Sequence, residues 1–251
     1  LLNLTAADLL LLLFLPFKVA EAATGDMTWP LPTALCPIAN FCFYSSIQLS
    51  SLFLAALSVE RYLGVAFPLR SKRWRRPGVY VAASCVLWLL ATSHCSVVFV
   101  AAFHDATNDP NISTAASKQG FKCYDDFSRA QLRFVLPLRL ELFLLLFLVP
   151  FVVTIFCYVN FIRALLARPN TPLEKKQRAV GLAVATMVNF SVCFAPFSVS
   201  HVVGFVEQQS PTWRHYVLVL TSLNAALDPL VFYFSSTVVQ QAVARLVAAM
   251  R

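Results

Sequence analysis

Ionisable side chains placed inside apolar runs are where this sequence could do chemistry. Asp8, Glu60-Arg61, His94, Arg139, Glu141, His201 and Asp228 all lie within or at the edge of stretches of Leu, Val, Phe and Ala. In a membrane such a group costs about 2.5–3.5 kcal/mol at mid-helix, so each is a functional candidate. Counting at 1.5 Å per residue sorts them by depth. Arg139 lies eleven residues from Pro150, His201 five from Pro196 and Arg214 fifteen from Pro229. With His94, these form one outer layer of two arginines and two histidines. Guanidinium pairs suit planar anions, so either a bound anion or an acid such as Asp125, beside Cys123, should meet them. Two plainer readings stand beside this one: the arginines are edge residues snorkelling to water, and each histidine is a structural core residue.

A middle layer holds Asp8, Asn224 and Asp228. Carboxylates facing one another in a bundle share a sodium ion, a proton or waters, or pack as simple polar neighbours. An inner layer is Glu60-Arg61-Tyr62, which on its own could be no more than an interfacial ion pair. No metal-ligand spacing such as H-E-x-x-H occurs, and no cofactor motif, so the sodium near Asp8 is the single ion the sequence suggests.

The elements that must position these groups follow from composition. Of 251 residues, 59% are hydrophobic and 13% charged, against roughly 45–50% and 25% in soluble domains. Six apolar blocks, 1–17, 33–67, 79–103, 134–166, 179–206 and 216–234, each approach or exceed the roughly 20 residues a membrane helix needs. The first opens at Leu1 with no cap, so a further helix is expected upstream. Over 237–251, Val239, Val243, Leu246, Val247 and Met250 recur at helical spacing opposite Gln241 and Arg245, which predicts an interfacial helix lying on membrane lipid.

Thirteen of the twenty Lys and Arg residues fall at Arg61, in the segments after the second and fourth blocks, and in the tail. The positive-inside rule puts these in the cytosol, so the net charge of +8 implies a membrane orientation and not nucleic acid. The intervening loops then face outward. One carries the glycosylation sequon Asn111-Ile112-Ser113. Cys36, at the outer end of the second block, and Cys123, in the long outer loop, share an oxidising compartment, which allows a disulfide. The other five cysteines fall within spans as packing residues.

Taken in order, these positions resemble the rhodopsin-like G-protein-coupled receptors. The residues that carry this are Leu4-Thr5-Ala6-Ala7-Asp8, Cys36, Glu60-Arg61-Tyr62, Trp88, Pro150 with Tyr158, Cys193-Phe194-Ala195-Pro196, and Asp228-Pro229. The resemblance implies an all-α membrane protein, a seven-helix bundle of rhodopsin type whose first helix is absent here, spanning residues 1–251 as one receptor domain in the plasma membrane. It also implies coupling to a heterotrimeric G protein through Glu60, Arg61 and Tyr62, with Tyr158, Phe194, Pro196, Asp228 and Pro229 in the switch.

Within that class the chain is similar to the free fatty acid receptors, the short-chain types above all. The match rests on Phe17-Lys18, Glu21-Ala22-Ala23, Trp29-Pro30-Leu31-Pro32, His94-Cys95, Leu136 to Glu141, Val199-Ser200-His201, Ser210 to Arg214, and Phe234-Ser235-Ser236. It implies a ligand such as acetate, propionate or butyrate, its carboxylate held by Arg139 and Arg214 with His201 and His94 in support. Phe197, Glu141, Tyr124 and Asp125 complete the expected site, the last two held above Arg139 by the disulfide. Some positions depart from the pattern. Phe197 stands where a tyrosine is usual, Phe194 replaces the usual tryptophan and Phe232 a tyrosine. Lys176 removes the glutamate that locks Arg61 in some class members, leaving Glu60 as a candidate lock. A monocarboxylate transporter or channel is the competing reading, though neither a continuous polar path nor an internal repeat is visible. Nothing in the sequence suggests an enzyme.

Overall fold

The computed structural model describes residues 1–24, 28–68, 76–100, 123, 129–169 and 171–249. Asn111, Tyr124, Asp125, Met250 and the basic segment 69–75 lie outside the described residues, as do the side chains of Leu246 and Val247. Among the described residues the chain is helical without strands, and six helices are long and apolar enough to cross a membrane: α1 Leu2–Ala23, α2 Leu35–Ala66, α3 Pro77–Val100, α4 Leu132–Leu166, α5 Leu173–Glu207 and α6 Arg214–Ser235. A seventh helix, α7 Thr237–Ala249, follows. Six helices of this length and composition, with a further helix after them, make an all-α bundle with the features of a multi-pass membrane protein.

Helix ends differ from the apolar blocks for a physical reason: backbone hydrogen bonding does not stop where lipid contact stops. α5 begins at Leu173, so Glu174, Lys175, Lys176 and Arg178 extend it into the cytosol. α1 runs on to Ala23 and takes in Lys18 and Glu21, both buried, whose Nζ and Oε2 are 2.8 Å apart. That internal pairing is how two charges are kept in the outer part of the bundle.

α2 is the hub, packed along its length against α1 and α4. Small and polar residues let it sit there: Ser45, Ser46, Ser50, Ser51 and Ser58 are buried with Phe43, Leu49 and Leu54. Ser46 and Ser58 donate to the carbonyls of Phe43 and Ala55 one turn back, each at 2.7 Å, so their hydroxyls cost little in the core. Ser51 instead reaches across to the carbonyl of Leu146 at 3.1 Å. Pro150, four residues on, has no N–H to offer that carbonyl, and the chain there makes a π-turn over Leu144–Leu148. A second π-turn, Phe190–Phe194, precedes Pro196 in α5. The two meet through Phe190, whose ring centroid lies 5.6 Å from that of Phe151 and 6.4 Å from that of Phe147. The outward surface carries the opposite pattern to a soluble protein, with Leu9, Leu13, Val81, Leu89 and Phe156 exposed where lipid would cover them.

Candidate functional site

At the outer end, Cys36 and Cys123 form a disulfide spanning 87 residues of sequence. Its sulfurs pack with Trp29 and Ala39 in a small buried cluster flanked by Phe14 and Phe17, which anchors the long outer loop to the start of α2. Asn40 Nδ2 donates to the Cys123 sulfur at 2.8 Å.

Beneath this lies a cavity lined by Tyr44 and Gln48 from α2, Arg139 from α4, Phe197 and His201 from α5, and Arg214 from α6. Arg139, His201 and Arg214 are each only 4% exposed. Each arrives by helical register: Phe197 and His201 are one turn apart on α5, and Tyr44 and Gln48 one turn apart on α2, so each pair projects to one side. The aromatic groups are stacked into a floor. The Phe197 ring lies 4.7 Å from the His201 ring, edge to face, and 6.1 Å from Tyr44, nearly parallel. The Arg214 guanidinium carbon sits 5.2 Å above the Phe197 ring centroid. Phe197 therefore offers the cation a π-face and, unlike a tyrosine, no hydroxyl beside it. Arg139 Nη1 donates to the hydroxyl of Ser210 at 2.8 Å. Among the described residues, Arg214 Nε and His201 Nδ1 have no hydrogen-bond partner although both are buried.

The cavity leaves about 20 Å³ for the centre of a water-sized sphere, room for one water. Two buried guanidinium groups bordering so small and apolar a space make it electropositive, which favours an anionic group there.

Other expected residues fall elsewhere. His94 and Glu141 do not line this cavity; His94 Nδ1 lies 3.7 Å from Glu141 Oε1, linking α3 to α4. Its neighbour Cys95 takes the inward position. Tyr44, Gln48 and Ser210 were not expected. The first two carry no charge to mark them within α2, and Ser210 lies in a loop whose fold the helix pattern does not report.

In the middle layer Asp228, fully buried on α6, accepts from Asn189 Nδ2 of α5 at 2.7 Å. Asp8 of α1 faces Asp228 and Ser50. Asp8 Oδ1, Asp228 Oδ2 and Asn224 Oδ1 are buried without hydrogen-bond partners among the described residues.

In the inner layer the Glu60-Arg61 lock does not form. Arg61 Nη2 donates to the backbone carbonyl of Ser235 at 3.2 Å and also to its hydroxyl. Glu60 turns outward and accepts from the Tyr80 hydroxyl at 3.1 Å. Adjacent residues on a helix point about 100° apart, which puts Glu60 and Arg61 on different faces. Tyr158, buried on α4, shares a 3.1 Å hydrogen bond with Thr186 of α5. A cytosolic cavity of about 300 Å³ opens beside Arg61, lined also by Val65, Lys175, Arg178, Phe234 and Ser235.

Comparison with known proteins places these layers in context. Residues 1–232 match the family model described as 7 transmembrane receptor (rhodopsin family). Free fatty acid receptor 2 of Rattus norvegicus is 49% identical over 236 residues, covering 94% of this chain and 70% of that receptor. Free fatty acid receptor 2 of Homo sapiens is 48% identical over 92% of this chain and 68% of its own length. Free fatty acid receptor 3 of Homo sapiens is 48% identical over 94% and 66%.

Proposed function

The chain belongs to the rhodopsin family of seven-transmembrane receptors, and we propose that within it this protein is a receptor for short-chain fatty acids that signals to a heterotrimeric G protein. One observation carries the reading: Arg139 and Arg214, both 4% exposed, border a single small cavity floored by Phe197 and His201. Relatives at nearly half identity are named free fatty acid receptors, which supports the same ligand class.

The ligand carboxylate bridges the two guanidinium groups through charge-assisted hydrogen bonds worth roughly 1.5–3 kcal/mol each. Phe197 and Tyr44 meet the tail; the cavity as it stands has room for one water, so the side chains around it shift to admit even a short acid. Affinity is bounded as well. At about −1.5 kcal/mol per heavy atom, a four- or five-atom acid reaches roughly −6 to −7.5 kcal/mol, a dissociation constant near 3–40 μM at best.

Binding draws the outer ends of α4, α5 and α6 together, since each contributes one of the groups around the anion. The π-turns at Leu144–Leu148 and Phe190–Phe194, each beside a proline, are the flex points that let the inner ends move in response. The G protein then docks at the cytosolic cavity beside Arg61. The oxygen atoms of Asp8, Asp228, Asn224 and Ser50 suit a sodium ion, because two carboxylates with neutral oxygens match a hard cation of low charge. α7 rests on membrane lipid through the face bearing Val239 and Val243.

The discriminating experiment compares propionate-dependent nucleotide exchange on a G protein with uptake of labelled acetate, both in cells expressing the full-length protein. Exchange without uptake is expected. Uptake without exchange would overturn the receptor reading in favour of a transporter.

A further inference from the structure

We propose that Ser210, in the loop joining α5 to α6, is a positioning residue for Arg139, making that loop the third wall of the acid site. The inference rests on the acid-binding reading above and adds to it a residue outside the helices.

The loop is built to bring the hydroxyl there. α5 ends at Glu207, and Gln208 after it takes the left-handed conformation, with φ 55°, which turns the chain sharply back over the helix end. The returning segment then settles onto Gly204. A Cβ at that position would lie 3.1 Å from the Gln209 carbonyl oxygen and 3.3 Å from Pro211 Cδ, with Leu136 Cδ2 of α4 at 3.7 Å. A side chain at Gly204 would make the loop give by a few tenths of an ångström. Gln209 and Pro211 flank Ser210, so the contact that seats them also sets the height of the hydroxyl between them. Leu136 is one turn before Arg139 on α4, so the same packing registers the loop against the helix that carries the arginine.

The product of this arrangement is the 2.8 Å bond from Arg139 Nη1 to Ser210 Oγ. A guanidinium on a flexible stem has many rotamers, and a hydroxyl accepting from one terminal nitrogen holds the planar fork in a fixed orientation before the ligand arrives. Ser210 thus sets how well Arg139 is presented to an acid, and Gly204 acts through Ser210.

Propionate dose-response curves, with surface expression measured in parallel, test this on the full-length protein carrying Ser210→Ala, Ser210→Thr, Gly204→Ala or Arg139→Ala. Arg139→Ala abolishes most of the response. Ser210→Ala shifts the midpoint to higher concentration by roughly threefold to tenfold, the value of one hydrogen bond, with the maximal response retained. Ser210→Thr, which keeps the hydroxyl, restores the midpoint. Gly204→Ala reproduces the shift, and adding Ser210→Ala to it changes little further. A response that survives Arg139→Ala overturns the acid reading and this inference together. Loss at Arg139→Ala with an unshifted midpoint at Ser210→Ala overturns this inference alone, as does a Ser210→Ala shift that Ser210→Thr fails to reverse.

Discussion

Arg61, at the cytosolic end of α2, is tied to Ser235, the last residue of α6, by bonds from one guanidinium nitrogen to both the carbonyl and the hydroxyl. The residue next to Ser235 reinforces the clasp: the Phe234 ring lies so close to α5 that a Cβ on Gly181 would meet it at 2.5 Å. With Lys176 where a glutamate could otherwise hold Arg61, these contacts join α2, α5 and α6 at the face where a G protein would dock. They oppose any separation of the inner ends of these helices.

Removing the Ser235 hydroxyl should therefore make that separation easier. Ser235→Ala keeps the carbonyl and loses one hydrogen bond, so ligand-independent nucleotide exchange should rise about twofold to tenfold. Basal exchange equal to wild type at matched surface expression would show that the contact does not restrain activation.

Gly181→Ala should act on the same clasp by steric means. The added methyl pushes against Phe234, at a cost of about 1–3 kcal/mol for overpacking, so thermal stability should fall and basal exchange should rise. Phe234→Leu in the same chain should recover most of the loss, because the smaller side chain makes room. Failure of the pair to compensate would mean that Gly181 matters for another reason.

At the ligand site, Arg139→Ala or Arg214→Ala alone should raise the propionate midpoint at least about tenfold, and the double substitution should add little, since both arginines serve one carboxylate. Arg→Lys at either position should rescue incompletely, because an ammonium cannot present a planar fork. Additive losses in the double variant would indicate two independent roles.

Cys36→Ser or Cys123→Ser should destabilise the receptor by about 2–5 kcal/mol and reduce its surface expression. Mass mapping of non-reduced peptides should recover the Cys36–Cys123 pair. If both thiols alkylate freely without reduction, the cross-link is absent in cells.

Asp8→Asn should abolish any dependence of the propionate midpoint on sodium, measured by exchanging sodium chloride for potassium chloride at constant ionic strength. The substitution removes one of two carboxylates from a site with few other anionic oxygens. A sodium dependence that persists in Asp8→Asn places the ion elsewhere.

Depth was legible in the sequence; direction was not. Lipid forces apolar runs of a given length, the distribution of Lys and Arg orients them, and a fixed rise per residue converts distance from a proline into height. Those rules put Arg139, His201 and Arg214 at one level, Asp8 and Asp228 at another, Arg61 at a third, and Cys36 on the same side as Cys123. What they do not carry is which way each side chain faces, because that depends on how far each helix is rotated when it packs. Rotation turned Cys95 inward and left His94 to Glu141, gave Arg61 to Ser235 and Glu60 to Tyr80, and brought uncharged Tyr44 and Gln48 to the cavity. Contacts made by chain that is not helical, such as the loop folded onto Gly204 that delivers Ser210 to Arg139, have no periodicity to read. Only the close packing of three elements decides them.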